Sequence, residues 1–178
     1  MTPTEPLRLN DLENGISGLS PGWEKFLCEA SILCFERQEH IQGILMKIEG
    51  SSLDGLSVIW ESTTTEETKN SWYDIQDLTE YGAVGIAILI VLRLTPFKIL
   101  RRAVKGEGVD YWLADKNETI PFQNTARLEV SGIFNGDISL IEKRVKQKLK
   151  QTEPTDGAIP AYIVVVEFSM PLSHVIKK

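Results

Sequence analysis

Glu80, Asp110 and Glu129 are the residues whose types and surroundings could do chemistry. Each stands in an apolar context. Glu80 heads a stripe of Ala83, Val84, Ala87 and Val91 at helical spacing, Asp110 opens the segment GVDYWL, and Glu129 lies inside ARLEVSG. If the last two segments are antiparallel strands joined by the polar loop ADKNETIPFQN, Asp110 falls opposite Glu129, with Cβ atoms about 5 Å apart. Like charges so placed repel, and a buried carboxylate is costly without a cation or hydrogen-bond donors. A bound Mg²⁺ or Mn²⁺ would relieve both costs. Such hard ions choose carboxylate oxygens, keep water positions open for phosphate and stabilise a phosphoryl transition state. Other chemistries have less to stand on. His40 and His174 lack metal-ligand spacing, the KGEG glycines precede a strand rather than a helix, and no Ser or Cys sits in a nucleophile elbow.

The elements that must position these acids follow from periodicity and punctuation. Residues 1–20, rich in Pro, Gly, Ser and Asn, read as a poorly ordered lead-in to a single α/β domain over 21–178. A helix is expected over about 23–37, then a hairpin of strands 43–48 and 56–60 turning through GSSLDG, then a surface loop, ESTTTEETKN. A long helix over about 75–94 starts at Asp74 or Asp77 and ends before Pro96. Its small residues Gly82, Ala83, Gly85 and Ala87 would let it approach a neighbour closely and bring Glu80 toward the strands. Strands at 97–104, 109–113 and ARLEVSG follow. Next come a helix over 138–150 with Ile138, Ile141, Val145 and Leu149 as its stripe, and the central strand AYIVVVEFS.

From residue 75 the order is therefore helix, strand, strand, strand, helix, strand. Glu80 is in the first helix, Asp110 on the second strand, and Glu129 two residues before Ser131 on the third. This arrangement resembles the PD-(D/E)XK nuclease superfamily over about 75–169, and leaves the N-terminal helix and β-hairpin as an addition. The resemblance implies an α/β restriction-endonuclease-like core, Mg²⁺ or Mn²⁺ held by Glu80, Asp110 and Glu129, and hydrolysis of DNA phosphodiesters. The family pattern usually has lysine at the position of Ser131, where it positions or activates the attacking water. Lys105, Lys148 and Arg144 are the candidates to stand in. The alternative reading is a noncatalytic member of the same fold, an interaction or assembly subunit, which Ser131 and the acidic charge favour.

Composition bounds these readings. At 178 residues and 42% hydrophobic content the chain can bury one substantial core. A net charge of −6 argues against nonspecific coating of nucleic acid, so any DNA contact is expected to be local. Cys28 and Cys34 without a second Cys or His cluster suggest reduced thiols and a cytoplasmic setting. The N-terminus lacks the pattern of a signal peptide, and the apolar run 83–92 falls short of the roughly 20 residues that span a bilayer. A protein partner or homo-oligomer is compatible with all of this.

Singly, each feature has a plainer account. Glu80 fits as an early-turn acid favoured by the helix dipole, Asp110 as a turn residue, and Glu129 as a solvent-facing strand residue paired with Arg127 or a lysine. The run Lys143, Arg144, Lys146, Lys148 and Lys150 reads as a solvated helix face, KGEG as a tight turn, and Trp112 as core packing with base stacking as the alternative.

Overall fold

In the computed structural model the described residues are 5–62, 64–116, 125–153, 157 and 159–178. They form a mixed α/β protein in which one eight-stranded mixed sheet curls into a half-barrel, accompanied by five helices among the described residues. The strands are β1 (Leu7–Arg8), β2 (Ile44–Glu49), β3 (Gly55–Ile59), β4 (Phe97–Arg102), β5 (Tyr111–Asp115), β6 (Thr125–Ile133), β7 (Ala161–Glu167) and β8 (Leu172–Lys177). Their order across the sheet is β1-β3-β2-β8-β7-β6-β5-β4. The α-helices are α1 (Pro21–Arg37), α2 (Glu66–Ser71), α3 (Ile75–Leu94) and α4 (Ile138–Thr152), and a 3-10 helix spans Leu9–Asn14.

Helix α3 starts where expected, because the Asp74 carboxylate accepts hydrogen bonds from the amides of Gln76 and Asp77. It is long and apolar enough to cross a membrane by length and composition, yet 67% of that stretch is buried inside the fold. Together with α1 it covers one face of the sheet and builds the larger apolar core. The glycines of α3 serve this helix pair. A Cβ at Gly82 would collide with the Cys34 sulfur, and one at Gly85 with the Ser31 hydroxyl, so the close neighbour is α1, not the sheet as expected. The approach to the sheet comes from the strand side, where a Cβ on Gly132 of β6 would strike the Thr79 carbonyl oxygen.

Helix α4 lies on the opposite face against β7 and β6, over a smaller cluster of Ile133, Ile141, Val145, Val165 and Leu172. Its N-cap is Asp137, whose carboxylate accepts from the Leu140 amide at 2.8 Å. All seven residues of β7 are buried between the two faces, as its unbroken apolar run requires. The expected hairpin of strands 43–48 and 56–60 forms with boundaries moved by one residue, since β2 and β3 pair antiparallel through a turn at 50–54.

Two sequence expectations need correction, and one strand was not anticipated. The N-terminal segment is not a loose lead-in over its described part: Leu7, Leu9 and Leu12 are essentially inaccessible, and β1 pairs parallel with β3. The tract ESTTTEETKN contains α2, capped by Thr65, whose hydroxyl accepts from the Thr68 amide, and braced by a Lys69–Glu66 ion pair. This helix buries none of its own residues, so no apolar stripe announces it. The last strand, β8, follows a turn through Met170 and Pro171 and inserts between β7 and β2, joining the N-terminal hairpin to the rest of the sheet. The loop ADKNETIPFQN lies mostly outside the described residues.

Candidate functional site

Strand β5 pairs antiparallel with β6 from Tyr111↔Leu128 to Ala114↔Thr125. One step further in the same register sets Asp110 opposite Glu129, as the sequence suggested. There the two strands part. The Asp110 amide still donates to the Leu128 carbonyl oxygen at 3.0 Å, but beyond it β6 runs on to Ile133 paired with β7. The Asp110 side chain takes over the next rung: its Oδ2 accepts from the Val130 amide at 2.8 Å. The parting strands open a cavity of about 610 Å³ between the N-terminal turns of α3 and the inner face of α4. Its lining includes Glu80, Asp110, Ser131, Arg144, Gln147 and Lys148.

Glu129 lies just behind this wall. It is 1% exposed and sits under Lys148, whose ammonium donates to Glu129 Oε1 at 2.5 Å; Gln151 donates to the same oxygen at 2.8 Å. The other oxygen, Oε2, is buried with no hydrogen-bond partner among the described residues. Burial raises the Glu129 carboxyl above its ordinary value, and the neighbouring Asp110 charge raises it further, against the opposing pull of Lys148 and Gln151. Burial also raises Asp110, opposed by its bond from Val130 and by the charges of Lys148 and Arg102. Two acids that repel each other and one oxygen with no donor make a site whose electrostatics one ammonium does not complete.

The expected trio is thus only partly assembled. Asp110 and Glu129 are adjacent, whereas Glu80 is exposed at the rim of the cavity and makes no hydrogen bond or ion pair among the described residues. The inward stripe at that end of α3 runs through Thr79 and Ala83, which touch Gly132. Glu80, one residue on, is turned about 100° away. Among the described residues no three His, Cys, Asp or Glu side chains stand close enough together to hold a metal ion. Glu129 is not the solvent-facing strand residue of the plainer account, although its ion-pair partner is a lysine, Lys148, as that account allowed.

Of the candidate replacements for the absent strand lysine, Lys148 reaches the acids and Arg144 lines the cavity. Lys105 is exposed in the turn before Asp110. Lys143, Lys146 and Lys150 are solvated as expected, so the basic run splits by helical phase into an outer face and two cations turned inward. Sequence reading missed Gln151, one turn after Gln147 and three residues after Lys148, a spacing that places it on the same side of α4. Both histidines have structural partners, His40 at the Phe168 carbonyl oxygen and His174 at Glu49. Cys28 and Cys34 are free and buried, and burial pushes the Cys28 thiol up to about 12. Comparison with protein-family models, curated proteins and solved structures returns no match.

Proposed function

We propose that this protein is a metal-dependent phosphodiesterase with a restriction-endonuclease-like core, α3-β4-β5-β6-α4-β7, acting on DNA. The observation that carries the reading is the position of Lys148. From α4 it brings an ammonium group to Glu129 and the field of Asp110, doing from a helix what the family's lysine does from the strand position held here by Ser131. The donor set suits a hard divalent cation: the partly buried Asp110 and the buried Glu129 are both raised by burial, Glu129 further by the charge of Asp110, and one Glu129 oxygen has no hydrogen-bond partner among the described residues. Mg²⁺ is commonly held by one or two carboxylates with water and phosphate completing the shell, so Asp110 and Glu129 would hold it, with Glu80 on the rim of the same cavity. When bound, such an ion polarises the phosphoryl group and lowers the pKa of water. Lys148 orients the attacking water and offsets charge growing on the phosphoryl oxygens, while Arg144 holds the phosphate from the cavity wall. Gln151 keeps the Glu129 carboxylate in one rotamer.

Incubation of plasmid and oligonucleotide DNA with Mg²⁺ or Mn²⁺ tests the proposal. Cleavage by the wild type and its loss, on the order of 1000-fold, in Asp110→Ala support it. An inactive wild type across both metals and substrates overturns it. One observation favours a second reading, a noncatalytic member of the fold: Lys148 already neutralises Glu129 directly, as a structural ion pair would. Titration calorimetry with Mn²⁺ separates the two, since heat that disappears in Glu129→Ala belongs to the catalytic reading and silence to the scaffold.

A further inference from the structure

Trp112 is held by polar and charged neighbours rather than by the apolar core. It is half-buried and, among the described residues, belongs to neither apolar cluster, in contrast to its neighbours Tyr111 and Leu113, which enter the larger core. Strand alternation puts Trp112 on the same face as Asp110, two residues along and therefore about 7 Å away. That face is the α4 side of the sheet, where among the described residues α4 packs chiefly on β7 and β6, with β5 and β4 next in the sheet. Trp112 pairs across the ladder with Arg101 of β4, whose guanidinium lies 5.4 Å from the indole centroid. The indole N–H donates to Glu107 Oε2 at 3.1 Å, and Glu107 also binds Arg101 through both carboxylate oxygens at 2.9 and 3.0 Å.

This triad fixes the ring. Glu107 holds the N–H edge and satisfies the guanidinium, so Arg101 serves as a backing plate for the indole rather than as a free phosphate contact. The result is a preset aromatic surface one short step from the carboxylates, next to a cavity lined by the cations Arg144 and Lys148. A nucleotide offers the matching pair of groups at a similar separation: an anionic phosphate for the cavity and a flat base for the ring. In a duplex the base faces are covered by their neighbours, whereas in a single strand they are free to stack on an aromatic side chain.

We infer that Trp112 is a base-stacking residue for single-stranded DNA, holding the base next to the phosphodiester that occupies the Asp110 cavity. The inference rests on the nuclease reading for its substrate class, and its test is independent of cleavage.

Fluorescence anisotropy of a labelled single-stranded oligonucleotide, with Ca²⁺ in place of Mg²⁺, measures binding to the wild type, Trp112→Phe and Trp112→Ala. The alanine variant should bind roughly 10-fold or more weakly and the phenylalanine variant within about 3-fold of the wild type. Moving a single abasic site along the oligonucleotide should weaken wild-type binding at one position and leave Trp112→Ala indifferent there, a comparison that does not depend on how well the alanine variant folds. Equal binding by wild type and Trp112→Ala, equal abasic penalties in both, preference for duplex, or no wild-type binding of single strands overturns the inference. Hydrolysis of bis(4-nitrophenyl) phosphate by the wild type with Mn²⁺, a diester with no base, reports separately on the nuclease reading.

Discussion

Two buried glutamates on neighbouring strands, Glu167 of β7 and Glu129 of β6, are treated in opposite ways. Glu167 is fully inaccessible, and both oxygens are occupied: Oε1 accepts from the Gly136 and Ser169 amides and the Ser169 hydroxyl, Oε2 from the Met170 amide at 2.6 Å. It ties the loop before α4 to the turn between β7 and β8. Glu24 in α1 is used similarly, accepting from the amide and hydroxyl of Ser17. At Glu129 the donors are two long side chains from one helix, both on the same oxygen, with a second acid alongside. A carboxylate that staples the chain is surrounded by neutral donors fixed in the backbone. One that awaits a ligand keeps an open oxygen and mobile donors, and carries the desolvation cost meanwhile.

The contrast breaks most readily at Glu167. Glu167→Ala should cost about 4 kcal/mol in urea unfolding, because it orphans several buried donors at once. Glu129→Gln should change stability by less than about 1 kcal/mol, since the amide keeps the volume and removes the repulsion with Asp110 while Lys148, 16% exposed, can reach water. Equal losses from the two substitutions would erase the distinction between staple and site. Lys148→Ala should lower cleavage about 100-fold, near 2.7 kcal/mol of transition-state stabilisation, with Lys148→Arg recovering part of it. Full activity in Lys148→Ala would return that lysine to a structural role. Gly132→Ala should cost about 2 kcal/mol by thermal or urea unfolding, because the new methyl meets the Thr79 backbone of α3 rather than a side chain that can turn aside. A neutral result would mean that α3 can shift without disturbing the cavity.

The parts of this arrangement legible in the sequence are those carried by periodicity. Antiparallel pairing of GVDYWL and ARLEVSG about the loop between them set Asp110 against Glu129, and the caps of α3 and α4 marked the helix starts. The illegible parts depend on rotation and on contacts distant in sequence. Glu80 was expected to face the sheet because its stripe is apolar, but α3 is buried almost all round, and in such a helix an apolar stripe does not say which side meets which neighbour. The split of the α4 basic run into solvent-facing lysines and the inward Lys148 and Arg144 required knowing how far the helix ends lie from β6. Trp112 looked like core because aromatics on strands usually are; only the Arg101–Glu107 pair, with Glu107 in the KGEG turn, shows what orients it. Leu9 and Leu12 were hidden by the three-residue spacing of a 3-10 helix within a Pro- and Gly-rich segment.

The smallest expected effect is also the most direct reading of the electrostatics at Glu129. Burial first, and then the charge of Asp110, place its carboxyl above the ordinary carboxylate value, outweighing the favourable contacts from Lys148 and Gln151. An acid raised in the folded state binds its proton more tightly there than in the unfolded chain. Its contribution to stability is fully present below the ordinary carboxylate value, about 4.3, and is lost as pH rises through the folded value. Asp110 is raised as well and acts in the same direction. Wild type and Glu129→Gln, melted side by side from pH 4 upward, should therefore diverge, with the wild type losing ground as the pH rises. Mg²⁺ should then stabilise the wild type more at pH 7 than at pH 5, because protons compete with the ion for the same oxygens, and should leave Glu129→Gln almost unmoved. Parallel melting curves at every pH would mean that Lys148 alone satisfies Glu129, and the pair would join Glu167 and Glu24 among the structural carboxylates.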